Sequence, residues 1–265
     1  MPYSQLYRAV RHTYVDAPNL FEEVLKEIYI AILRPGGVAV DCGCHSGRHT
    51  IPMARRVAPD GVVYAFDPIA EKVAVLEGRA AKEGLSDNVY ASVSAVGNEI
   101  SKVEFNYLPD DPGKSAIHLR SEIRLDDVKM STVEKRHVIV ATVDSILALA
   151  KACDFIKIDV EGAELSVLEG AKKTIDDYRP VIHFAAGKPS LSAFQVEPQE
   201  IFNFMSQNGY NIFDIIGNKM DTRDEFDEST AAGGLYDYIA LPSGFCDPWI
   251  VASCAKKVFK SNRKK

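Results

Sequence analysis

The chain has 265 residues, 46% of them hydrophobic, and carries 31 Lys and Arg against 37 Asp and Glu for a net charge of −6. That length and apolar share suit one large core with additions, not two full domains, and the interspersed charges form no broad cationic face for nucleic acid. No stretch approaches the ~20 apolar residues of a membrane span, and five cysteines without a paired framework suit a reducing, cytoplasmic setting.

The first residues, with Arg8 and Arg11, lack the apolar run of a secretory signal, which leaves a transit peptide as the alternative. Asp16 and Pro18 are start signals for a helix over 16–34, with Leu20, Phe21, Val24, Leu25, Ile28 and Ile32 on one face and Arg34-Pro35-Gly36-Gly37 as its stop. Residues 1–35 therefore read as an N-terminal helical extension. A strand at 38–42 then runs into Asp41-Cys-Gly43-Cys-His45-Ser46-Gly47, an Asp-x-Gly-x-x-x-Gly spacing. It reads as a nucleotide-cofactor loop but departs from the Gly-x-Gly-x-x-Gly of dinucleotide sites, which points away from NAD. The glycines let backbone approach a flat, cationic ligand, and Asp41 stands where a positive amino group can be met. Cys42, Cys44, His45 and His49 straddle a strand end and a tight turn without a second Cys pair, so no metal is assigned.

A helix over 47–57 leads to a strand at 62–67 ending in Asp67-Pro68. An acid at the carboxyl tip of that strand can accept both hydroxyls of a ribose; the alternative is that Asp67-Pro68 caps the next helix, over 69–83. Residues 88–98 supply a third strand and an exit loop whose tip is expected to meet an adenine ring. Alternation over 103–108 is broken by Pro109-Asp-Asp-Pro112-Gly113, and a polar stretch runs on to His137. This insertion, at about 101–140, is either a binding element or lid, or a surface excursion. Extended structure resumes at 138–144 before a helix over 145–151. A strand at 154–158 enters Asp159-Val-Glu161-Gly162-Ala-Glu164 and a helix ending near Lys173, and another strand follows at 179–184. A helix at 198–208 precedes late strands at 210–216 and 235–241, which suit an antiparallel closing pair. Residues 246–265, with Lys256-Lys257 and Lys264-Lys265, read as a solvated or frayed basic tail.

The stretch Phe155-Ile-Lys157-Ile-Asp159-Val-Glu161-Gly162-Ala-Glu164-Leu-x-Val-Leu168-x-Gly170-Ala171 resembles, almost letter for letter, the Lys-Ile-Asp-Val-Glu-Gly motif of the FkbM-type methyltransferases, a branch of the class I S-adenosylmethionine-dependent enzymes. The strand-one loop, Tyr64-Ala-Phe-Asp67-Pro68, Ala95-Val-Gly97 and Thr142-Val-Asp144 stand in the family's order, over roughly residues 36–216. The resemblance implies an α/β fold with a Rossmann-like sheet of seven strands, mostly parallel with an antiparallel closing strand and helices on both faces, in a domain at 36–245. It implies S-adenosyl-L-methionine as cofactor and S-adenosyl-L-homocysteine as product. Asp67, with Pro68 beside it, would take the ribose hydroxyls; Gly43 and Gly47, with His45 and Ser46 between them, the methionine side; Ser94, Ala95 and Val96 the adenine edge; and Asp41 a water or the ammonium. Two departures stand out. Cys44-His45 replaces the family's usual Ala-Asn, and His183-Phe184-Ala185-Ala186-Gly187 follows where the family tends to place a Glu.

Methyl transfer from a sulfonium requires acceptor, methyl and sulfur held collinear and dry, and a hydroxyl acceptor also loses a proton. The candidate bases are Asp159, Glu161 and His183. Asp159 leads because it directly follows a buried strand, where partial desolvation raises a carboxyl pKa. The alternatives are that Lys157 pairs with Asp159 across one strand face, and that Glu161 and Glu164 favour the positive start of the following helix. His45 has three open roles: base, cofactor contact or helix-start residue. The expected activity is O-methylation of a sugar, glycan or secondary-metabolite hydroxyl, with nitrogen as the alternative acceptor atom. The rival reading is a binding or scaffold protein that keeps the fold and has lost catalysis.

Overall fold

The structure, a computed structural model, describes residues 17–119, 133–231 and 235–262. In chain order they form α1 (Ala17–Ile32), β1 (Val38–Cys42), α2 (Thr50–Val57), β2 (Val62–Asp67), α3 (Ala70–Lys82), β3 (Val89–Val93), β4 (Ala95–Val96), β5 (Ser101–Tyr107), β6 (Glu134–Ala141), α4 (Val143–Ile146), β7 (Phe155–Ile158), α5 (Glu164–Glu169), α6 (Lys172–Tyr178), β8 (Val181–Ala185), α7 (Lys188–Ala193), α8 (Pro198–Gln207), β9 (Tyr210–Asp214), β10 (Lys219–Met220), α9 (Arg223–Ser229), β11 (Asp237–Pro242) and α10 (Ile250–Asn262).

Strands buried on both faces must be apolar at almost every position, and β1, β7 and β8 are. Ala39, Phe155, Val181 and Ile239 pack toward α1, α2, α3 and α10. Their neighbours Val40, Ile156, Ile182 and Ala240 pack toward α4, α5, α6 and α8 on the other face. The main sheet runs β10-β9-β11-β8-β7-β1-β2-β3. Strands β3, β2, β1, β7 and β8 are parallel, and β11 inserts antiparallel between β8 and β9. Strand order reverses between β1 and β7, so a crevice opens beyond their carboxyl ends, where open α/β sheets hold ligands.

The mostly parallel sheet with helices on both faces agrees with expectation, but it has eight strands instead of seven. The extra one, β10, is a two-residue hairpin partner of β9, too short to show alternation in sequence. A second departure is a separate three-stranded sheet, β4-β6-β5, built largely from the inserted segment. Its core is Ile69, Phe105 and Val138. Arg136 ties it to α3, donating to Glu71 Oε2 at 2.9 Å with its guanidinium 3.6 Å over the Tyr107 ring.

The frayed tail expected over 246–265 is corrected for 250–262. There α10 buries Ile250, Val251, Cys254, Ala255 and Val258. Phe259 meets Phe21 of α1 edge-on at 6.5 Å, and Lys257 pairs with Glu27. The lysines occupy the outer face of an amphipathic helix, so their charge says nothing against burial of the inner face. The helix expected at 145–151 is the four-residue α4, capped by Thr142, whose Oγ1 accepts from the Ser145 N–H at 3.0 Å. Arg8, Arg11 and Asp16 lie outside the described residues. No helix among the described residues is long and apolar enough to cross a membrane.

Candidate functional site

Beyond β1 the backbone turns through three left-handed residues: Gly43 (φ 81°), His45 (φ 46°) and Gly47 (φ 83°). Glycine takes this conformation freely, and Asn, Asp and His take it more readily than other side chains. A His at 45 thus meets the same backbone demand as an Asn. At Gly43 a Cβ would fall 1.9 Å from the Asp159 carbonyl oxygen, so glycine is what lets the β1 loop close on the β7 loop. At Gly47 a Cβ would fall 2.5 Å from Leu76 Cδ1, so this glycine serves packing against α3. The His45 N–H donates to Asp67 Oδ2 at 2.8 Å, and Arg79 Nη1 donates to the Ser46 carbonyl at 2.6 Å.

A cavity of about 220 Å³ opens beyond the carboxyl ends of β1, β2 and β7. Gly43, His45, Asp67, Pro68, Ser94, Ala95, Val96, Asp159 and Glu161 all line it. Burial pushes the Asp67 carboxyl above its ordinary value, while the N–H groups of Ile69, at 2.9 Å, and His45 pull it down. Burial lowers the pKa of the His45 imidazole, and Lys72 and Lys157 act in the same direction against the opposing pull of Asp159. Ser94 Oγ is buried and has no hydrogen-bond partner among the described residues. A larger open groove, of about 760 Å³, lies at the opposite end of the strands beside Arg34, Asp154 and Val181, and none of the expected site residues lines it.

Asp41, Ser46, Gly47 and His183 are not brought to the cavity. Asp41 is fully buried; Thr50 Oγ1 donates to its Oδ2 at 2.6 Å and Lys157 Nζ lies 3.1 Å from Oδ1. The positive amino group that Asp41 meets is the chain's own. Lys157 also donates to the Gly43 carbonyl at 3.1 Å and lies 3.7 Å from Asp159 Oδ2. Burial alone would lower the pKa of this ammonium, but Asp41 and Asp159 outweigh it and hold Lys157 charged. His183, the third candidate base, is 1% exposed, next to Lys157 in strand register, and its Nε2 donates to Asp237 Oδ1 at 2.9 Å. The alternation of β8 explains this: Val181 and His183 share the face covered by α1 and α2, below the strand tips.

The turn after β7 carries Asp159, whose side chain is half exposed, and Glu161, held left-handed at φ 61°. Non-glycine residues in this region are strained and cluster at functional sites. Glu164, behind the turn, accepts through Oε1 from the N–H groups of Val160 and Gly162, each at 3.2 Å.

The far wall of the cavity was not legible in sequence. It is made by Phe105, Ser115, Ala116 and Ile117, from β5 and the turn after it. Asn106 fixes that turn, its N–H donating to the Ala116 carbonyl at 3.0 Å and its Nδ2 to the Ile117 carbonyl at 2.8 Å. Alternation at 103–108 marked the strand but carried no sign of what Phe105 would face. Among the described residues no group of three or more His, Cys, Asp or Glu side chains converges as a metal site.

The sequence profile of the methyltransferase FkbM domain matches residues 41–212. A protein of Beauveria bassiana (strain ARSEF 2860) named Methyltransferase 1 is 25% identical over 171 residues, 56% of this chain and 66% of its own length. Among solved structures, methyltransferase FkbM from Methylobacillus flagellatus KT aligns with a TM-score of 0.48 at 19% identity, over 80% of this chain and 49% of that one. A SAM-dependent methyltransferase from Aquifex aeolicus aligns with a TM-score of 0.41 at 18% identity, over 83% of this chain and 87% of that one. The chain therefore spans just under two thirds of its curated relative and about half of the Methylobacillus protein.

Proposed function

This chain belongs to the FkbM methyltransferase family, and from that premise we propose that it transfers the methyl group of S-adenosyl-L-methionine to a hydroxyl oxygen of a sugar, glycan or secondary metabolite. The observation that carries the reading is the cavity beyond β1, β2 and β7, where the Asp67 carboxylate and the buried Ser94 hydroxyl, without a partner among the described residues, line one space. Each Asp67 oxygen already accepts one backbone N–H. A carboxylate offers roughly four lone-pair sites, so both oxygens keep capacity for ribose hydroxyls. Ser94, with Ala95 and Val96 beside it, supplies the polar and apolar atoms that a purine edge needs. Gly43 and His45 border the end of the cavity nearer Asp159.

When bound, the cofactor supplies an electrophilic sulfonium methyl that a nucleophile displaces in line. Asp159 accepts the acceptor's proton from the cavity wall, with Glu161 on the same turn as the second candidate. His183, buried and engaged by Asp237, is left out of this role. Lys157 positions both sides of the site through the Gly43 carbonyl and the Asp159 carboxylate. Phe105 and Ile117 keep the far wall apolar, which favours exclusion of water. The reading takes residues 36–245, with the insertion at about 101–140, as the transferase unit, in the cytoplasm, with S-adenosyl-L-homocysteine as product and a small-molecule or glycan partner.

Calorimetric titration of S-adenosyl-L-methionine and S-adenosyl-L-homocysteine into wild type and Asp67→Ala tests the proposal. Binding by wild type that the variant loses supports it, and no binding by wild type overturns it. Binding without turnover on any hydroxyl or amine acceptor would favour a fold that has lost catalysis.

A further inference from the structure

Glu164 opens α5 directly behind the turn that carries Asp159 and Glu161, and it is 1% exposed. Its two oxygens are used unequally. Oε1 receives the N–H groups of Val160 and Gly162, while Oε2 is buried with no partner among the described residues. A buried polar atom left unpaired in a native structure calls for a reason. The turn itself needs support, because Glu161 stands at φ 61° and Gly162 at φ 116°, and a Cβ at 162 would meet the Ser190 carbonyl at 2.4 Å. The charged neighbour acting on Glu164 is Asp159, and Ser190 and Phe194, which pack on the turn from α7 and the residue after it, are uncharged.

We propose that Glu164 is a positioning residue whose ionisation tightens the 159–163 turn and so sets where Asp159 and Glu161 stand against the cavity; this rests on the transferase reading above. The ionised carboxylate makes charge-assisted bonds to the two N–H groups, stronger than those a neutral carboxyl makes. The proton that loosens them goes on Oε2, the one atom of the group with no other bond. Burial pushes this carboxyl up to about 7, against the pull of the backbone N–H groups, which brings the change into the neutral range.

The test is calorimetric affinity for S-adenosyl-L-homocysteine across the neutral pH range, in the full chain. Wild-type affinity should rise through about pH 7, by at most tenfold per pH unit for one coupled proton. Glu164→Gln keeps an acceptor for both N–H groups but cannot ionise, so its affinity should stay flat at the level of the wild-type acid limb. An undiminished rise in Glu164→Gln would overturn the proposal. A carbon-13 carboxyl titration of wild type, with Glu164 assigned through its own backbone, decides the matter without a variant: titration near 7 supports it and titration in the ordinary glutamate range refutes it. Absence of S-adenosyl-L-homocysteine binding at every pH would remove the cofactor reading, and the carboxyl titration would still decide on Glu164.

Discussion

Lys157→Met should lower the melting temperature far more than any surface substitution. Lys157 is 3% exposed and Asp41 is fully buried, and their charged atoms lie 3.1 Å apart. Methionine fills much of the same volume, so the loss comes from charge and not from a void. The Asp41 carboxylate keeps only the Thr50 hydroxyl, and the Gly43 carbonyl loses its side-chain donor. Removing one member of a buried ion pair costs about 3–5 kcal/mol. In a chain of this size each kcal/mol lowers the melting temperature by about 2–4 °C, so scanning calorimetry should show a fall of about 6–20 °C. Asp41→Leu combined with Lys157→Met replaces both charges by apolar groups, which is often neutral or stabilising. The double variant should recover most of the melting temperature without recovering S-adenosyl-L-homocysteine binding, because Gly43 and Asp159 have still lost their common anchor. A fall below about 2 °C in the single variant, or a double variant less stable than the single, would refute the reasoning.

Gly43→Ala should abolish S-adenosyl-L-homocysteine binding in calorimetry, because the new methyl meets the Asp159 carbonyl, which is backbone. Gly47→Ala meets the end of the Leu76 side chain instead, so it should lose about 1–3 kcal/mol of stability while still binding; the reverse ranking in affinity would contradict these roles. Burial raises the Glu22 carboxyl, but its hydrogen bond and charge interaction with His49 outweigh this and hold it at about 2, against an ordinary 4.5. A depressed folded pKa contributes stability that is complete above pH 4.5 and lost as pH falls toward 2, so Glu22→Gln should flatten the melting temperature against pH in that window, and a parallel curve would be the contrary result. Arg136→Ala should cost about 1 kcal/mol, by loss of a partly exposed ion pair and a cation–π contact. Amide exchange should quicken in β5 and β6 alone, and equal quickening of the main sheet would count against a local tie.

What could be read from sequence was whatever one segment specifies by itself. Strands β1, β2 and β7 announce themselves as short apolar runs, and Gly43 and Asp67 stand at their ends in a fixed spacing. The partner of Asp41 lies 116 positions along the chain, on a strand brought alongside by the fold, and no local pattern names it. The burial of His183 away from the cavity has no sequence signal, because a strand buried on both faces gives no alternation to say which way each residue points. Helix α9 has little apolar content beyond Phe226 and is recognisable mainly by its Thr222 and Glu225 capping box. In α10 the apolar stripe was present in sequence but was overshadowed by the lysines between its members.

The sheet of β4, β6 and β5 has its own hydrogen-bond ladder, with Ser101 opposite Val140 at one end and Tyr107 opposite Glu134 at the other. The strands that hold Asp67 and Asp159 at their ends pair within the other sheet. Doubling the length of a loop such as the β5–β6 connection costs only about 0.6 kcal/mol. Descendants of such a chain can redraw the wall at Phe105, Ser115, Ala116 and Ile117 while Asp67 and Asp159 keep their places at the ends of strands in the other sheet, so two sides of one cavity are free to evolve at different speeds.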